Sequence, residues 1–149
     1  MSAARELAQS IRAYVDAHPA MTMLPVDEAE HLRLAVAQAF NLPTGKRWWW
    51  ECVPAIAVST GYRGDDISDW RDRMLEALPE DGQPLWLFVT DDELPPWACV
   101  TGSRKSLIDM IMQLQYVEYF VVNRQHTRIV FDTHHNRLIV YERTQLLIE

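Results

Sequence analysis

The chain has 149 residues, 48% of them hydrophobic, which suits one domain, residues 1–149, with an ordinary apolar core. A chain of this size buries roughly 70% of its unfolded surface, so it needs neither a metal nor a disulfide framework to fold, and its composition argues against disorder. The formal net charge is −7, which disfavours binding to nucleic acid phosphates and favours a basic partner.

Residues Met1 to Leu7 carry an acid, Glu6, with no apolar run behind it, so no export signal is legible. No segment approaches the roughly 18 apolar residues of a membrane helix. The expected location is the cytoplasm, with no membrane partner. Leu7, Ile11, Tyr14 and Val15 line one face of a first helix, which His18-Pro19 should end. A second helix is expected to start at Asp27, capped by that residue with Glu30 three places on. Its apolar stripe is Leu32, Val36, Ala39 and Phe40, and Asn41-Leu42-Pro43 stops it.

Trp48-Trp49-Trp50-Glu51 and Pro54 to Val58 read as strand or extended segments. Gly61 and Gly64 frame a turn. A third helix is expected from Asp66 or Ser68 to Leu78, with Ile67, Trp70, Met74 and Leu78 inward. Leu85 to Val89 is a continuous apolar run, the pattern of a strand covered on both faces. Asp91 to Pro96 is a loop, Trp97 to Thr101 a strand, and Ser103 the cap of a fourth helix with Leu107, Met110, Ile111 and Leu114 inward. Tyr119–Val122, Arg128–Asp132 and Arg137–Tyr141 follow with short polar connections, an antiparallel meander. The expected class is α+β: a mainly antiparallel sheet, N-terminal helices packed on one face, and a C-terminal β-meander.

Several residues invite a chemical reading. His134-His135 could ligate a metal, but neighbours in a strand point to opposite faces, and neither His-Glu-x-x-His nor His-x-Glu with Cys-x-x-Cys is present. No metal and no cofactor is expected. Cys52 and Cys99 lack nucleophile or zinc spacing and are expected to be reduced and buried. Gly102 to Ser106 opens a helix and could hold an anion, but it lacks the glycine spacing of a phosphate loop. Three tryptophans in a row cannot all enter one core if the segment is extended, so one is expected at the surface or in an interface. The acidic run Asp91-Asp92-Glu93 follows a buried strand, a place where loops carry function.

Trp48-Trp49-Trp50-Glu51, together with Glu118 to Val122 and Thr133 to Ile139, resembles the Trp-Trp-Trp-Glu and His-His-acid signatures of a bacterial family of small domains. Members of such families resemble immunity proteins encoded beside toxins. The likeness covers about half the chain, and Asn136 stands where an acid is expected after the two histidines. It carries over no catalytic residue.

Three functions follow as expectations. The first is a cytoplasmic immunity-type protein that occludes the active site of a toxin with a basic cleft. Its contact residues would be Asp91, Asp92, Glu93, Trp97, Trp48 and Trp49, and no catalytic residue is assigned. The second is a metal-dependent hydrolase or nucleotide-modifying enzyme built on His134, His135, Asp132 and Cys99. The third is a regulatory module that binds a small anion at the Gly102–Ser106 turn.

Overall fold

A computed structural model describes residues 3–43, 49–53, 57–80, 82–90, 97–114, 117–133 and 135–143. Four α-helices are present among these: α1 (Ala3–Asp16), α2 (Val26–Ala39), α3 (Ile67–Ala77) and α4 (Arg104–Ile111). Seven strands complete the fold: β1 (Thr22–Met23), β2 (Val58–Gly61), β3 (Leu85–Thr90), β4 (Ala98–Gly102), β5 (Glu118–Asn123), β6 (Arg128–Asp132) and β7 (Arg137–Glu142). They form one antiparallel sheet in the order β1-β4-β3-β5-β6-β7-β2. The α+β class and the C-terminal meander β5-β6-β7 are as the pattern of residues predicts.

The helices, expected on one face, divide between two. Side chains alternate along each strand, so successive residues enter opposite layers. Leu85, Leu87 and Val89 of β3 join Val121, Val130 and Leu138 beneath α1, α3 and α4. Phe88 and its cross-strand partner Phe120 point the other way, toward α2, with Val122, Ile129 and Phe131. The uninterrupted apolar run of β3 is therefore the signature of a two-sided strand. Phe88 is fully buried, worth about 2–3 kcal/mol of transfer free energy, and it stacks on Phe120 with ring centroids 4.9 Å apart.

Local chemistry sets most boundaries. Asp66 caps α3, accepting from the backbone N–H groups of Ser68 and Asp69. Ser103 caps α4, accepting from Ser106 N–H. The α3 carbonyls of Leu75 and Ala77 accept from Arg104 (2.9 Å) and Arg128 (2.6 Å), cations supplied by tertiary neighbours to an end whose own last turn holds no basic residue.

Other expectations are corrected. The second helix starts one residue early, with Pro25 in the cap position and no side-chain cap. Asp27 lies in its first turn, where its charge still complements the helix dipole. Glu30 reaches back to no backbone donor; it pairs with Arg33 at 2.7 Å. Trp49–Glu51 is a short 3₁₀ turn rather than an extended segment, closed by Cys52 N–H on the Trp49 carbonyl. The strand expected over Pro54–Val58 falls partly on residues 54–56, outside the described residues; β2 begins at Val58 and runs to Gly61. Ile67, expected inside, is 56% exposed, because the α3 stripe begins at Trp70. Strand β1 is too short to leave a periodic trace.

Candidate functional site

Sequence parity places one acid on an inward track. Asp132 stands two residues beyond Val130 on β6, so it shares the face that α3 covers. Tyr119 stands two residues before Val121 on β5 and shares that face as well. Trp70, at the first buried position of α3, comes down onto both.

These groups meet in a compact hydrogen-bonded cluster. The Tyr119 hydroxyl donates to Asp132 Oδ2 at 2.6 Å, and the Tyr62 hydroxyl donates to Asp132 Oδ1 at 2.6 Å. The Trp70 indole N–H is shared between the Tyr119 hydroxyl (3.0 Å) and Asp132 Oδ2 (3.2 Å). Burial holds both phenols well above the ordinary tyrosine range, and the Asp132 charge and its hydrogen bonds push the same way. Both phenols are thus fixed as protonated donors, and both carboxylate oxygens are engaged.

The cluster floors a cavity of about 610 Å³. Its walls are the segment from Tyr62 to Ile67, the end of α4 and the following residues to Leu114, and Val117, Glu118, Thr133 and Asn136. The loop entering α3 is held close: Tyr62 N–H donates to the Asn136 carbonyl at 2.9 Å, and Arg63 N–H donates to Asp69 Oδ2 at 2.8 Å. Gly64 leaves room there for the Asn136 side chain, which would have to shift for a Cβ that would stand 2.5 Å from its amide nitrogen. Asn136 itself adopts φ +57°, a left-handed turn residue that asparagine tolerates. Among the described residues, four carboxylates line the cavity, Asp65, Asp66, Glu118 and Asp132, against one guanidinium, that of Arg63. Aromatic walls with a surplus of negative charge suit an organic cation or a basic side chain.

The residues singled out from sequence fall elsewhere. Trp49 is 5% exposed, tilted against Phe120 at 5.3 Å, with its indole N–H donating to the Pro43 carbonyl. It is a core residue under α2, not a contact residue, because the 3₁₀ turn aims it inward. Trp97 is half-buried and packs on the same Phe120 at 5.5 Å. Trp48, Asp91, Asp92 and Glu93 lie outside the described residues, as does His134. His135 is exposed, with its ring edge-on to Trp50 at 6.1 Å. Cys99 is fully buried under α2 and its thiol is pushed up by that burial, so it is no nucleophile as placed. Cys52, expected buried, is exposed beyond the 3₁₀ turn. No group of three or more His, Cys, Asp or Glu side chains placed to hold a metal occurs among the described residues. Arg104 of the Gly102–Ser106 turn is engaged by Glu80 and the Leu75 carbonyl, and Lys105 by Asp109.

The site that emerges was visible only as parity: an acid at an inward position of a strand. Its partners lie 13, 62 and 70 residues away in sequence, beyond any spacing rule. No protein-family model, curated protein or solved structure matches the chain. No helix among the described residues is long and apolar enough to cross a membrane.

Proposed function

We propose that the protein acts by stoichiometric binding and that the Tyr62–Asp132 cavity receives a basic side chain of a protein partner. One observation carries this reading: an open cavity with an aromatic floor and, among its described lining residues, four carboxylates against one guanidinium. The overall charge of −7 supports it, since a negative field concentrates a cationic partner and raises its on-rate. Asp132 has both oxygens engaged by Tyr62, Tyr119 and Trp70, so it supplies fixed charge and shape. Asp65 stands exposed at the rim as the contact a guanidinium or ammonium would meet first. An immunity-type protein, blocking a toxin's basic cleft in the cytoplasm, is the form of this function that the Trp-Trp-Trp-Glu resemblance favours.

Co-expression with the product of the adjacent gene, followed by affinity capture and a growth-protection assay, tests the proposal. A one-to-one complex that protects, weakened about tenfold or more by Asp65→Lys through lost rim attraction, is the expected result. Absence of both a complex and protection would sink it.

A further inference from the structure

Among the described residues, β2 forms one edge of the sheet, four residues long, with Val58 60% exposed. The phase of its hydrogen bonds follows from two contacts. Tyr62 N–H donates to the Asn136 carbonyl (2.9 Å), and the Arg137 carbonyl is taken from the other side by Thr133 N–H (3.0 Å). In an antiparallel ladder, directly opposed residues alternate between bonded and unbonded pairs. Val58 and Thr60 therefore bond to Val140 and Leu138 of β7, while Ser59 and Gly61, opposite Ile139 and Arg137, turn their backbone groups away from β7. Such an outward row is a template for another strand.

One side chain crosses that row. Arg137 begins β7, directly opposite Gly61, and its guanidinium passes over the glycine; a Cβ there would lie 3.1 Å from Nη1. It ends on Ser59, donating through Nε to the hydroxyl (2.7 Å) and through Nη2 to the carbonyl (3.2 Å). The outward acceptor in the middle of the edge is thus occupied by a charged donor of the neighbouring strand. Gly61 leaves the space this needs, and Ser59 supplies the second anchor.

We propose that Arg137 is an edge guard, which keeps a second copy of this chain from extending the sheet at β2. A second copy is the occupant the geometry fits. Antiparallel pairing about Ser59 is two-fold symmetric, uses the outward groups of both strands equally, and sets exposed Val58 against Thr60 of the second copy. Pairing uses the Ser59 carbonyl, which a charged donor already engages, so an incoming strand must share or displace the Arg137 guanidinium.

Light scattering after size exclusion, at sub-millimolar protein, reads the outcome. Wild type runs as a monomer. Arg137→Ala shows a concentration-dependent rise toward double the mass, and the more conservative Arg137→Gln shows the same trend should the alanine variant not fold. Adding Ser59→Pro, which removes an outward N–H and no ladder bond, returns either variant to the monomer. A variant with the wild-type circular dichroism spectrum that stays monomeric overturns the proposal. So does a dimer that survives Ser59→Pro, since it must form elsewhere. Neither result depends on the partner proposed for the cavity.

Discussion

The two faces of the sheet solve the same problem differently. Under α1, α3 and α4 the core is largely aliphatic, and the charge it admits is an acid, Asp132, which accepts from the neutral donors Tyr62, Tyr119 and Trp70. Under α2 the core is aromatic, built on Phe40, Phe88, Phe120, Phe131 and Trp49, and the charge it admits is a base. Arg33 is 5% exposed, forked onto Glu30 at 2.7 and 3.1 Å, with its guanidinium 5.4 Å above the Trp49 ring. A guanidinium is satisfied by one carboxylate and a π face on its own helix and turn. A carboxylate needs donors from several directions, and here they come from α3, β5 and the loop after β2. The carboxylate arrangement ties remote segments together and leaves a cavity at their junction; the guanidinium arrangement is local.

The largest expected effect would break the aromatic face. Phe120→Ala removes the ring on which Phe88, Trp49, Trp97 and Phe131 converge. It should cost about 3–5 kcal/mol, read as a fall in urea midpoint at constant slope. A loss below about 1 kcal/mol would mean that this face collapses to fill the gap.

Next comes the acid on the opposite face. Asp132→Ala strips the acceptor from Tyr62 and Tyr119 and should cost about 2–3 kcal/mol, whereas Asp132→Asn, which keeps one acceptor oxygen, should cost less. The phenols also predict an alkaline limit. Their folded pKa values lie above the unfolded ones, so the folded state keeps protons that the unfolded state gives up. That stability is complete below roughly pH 10 and is lost as pH rises further. Urea titrations between pH 8 and about 11 check the sign. A wild-type stability that rises over this range contradicts the cluster geometry.

A smaller effect separates the helices. Ser103→Ala should cost about 1 kcal/mol through loss of the α4 cap, and α2 has no counterpart to lose because Pro25 makes no cap hydrogen bond. Thermal melts of Ser103→Ala and Ser103→Asp test this, the aspartate retaining the cap.

The smallest effect is on the Glu30–Arg33 pair. The Arg33 hydrogen bond holds the Glu30 carboxyl below its ordinary range, so the pair stabilises the fold above the unfolded pKa of roughly 4 and fades as pH falls through the folded value. Partial exposure of Glu30 screens the contribution. Arg33→Met should shallow the acid side of the stability profile, measured as midpoint against pH from about 3 to 6. An unchanged profile would show that the π contact alone orients the guanidinium.

Much of the fold was legible because it is local. Strands β3, β6 and β7, the Ser103 cap and the meander follow from alternation, turn residues and capping chemistry within a few positions. Trp49 was misplaced because a 3₁₀ turn and an extended strand make different use of the same three tryptophans, and only the Pro43 carbonyl and Phe120 decide between them. The division of helices between two faces was likewise hidden: an amphipathic stripe says that a helix packs, not on which side. Sequence determined the four helices, most of the strands, the acidity and the two-sided nature of β3, all properties of spacing and composition. Tertiary structure alone decided that Tyr62, Trp70, Tyr119 and Asp132 meet, and that Arg137 crosses Gly61 to reach Ser59. Those meetings are set by strand order and register, which bring together residues whose separation along the chain encodes nothing about their distance in space.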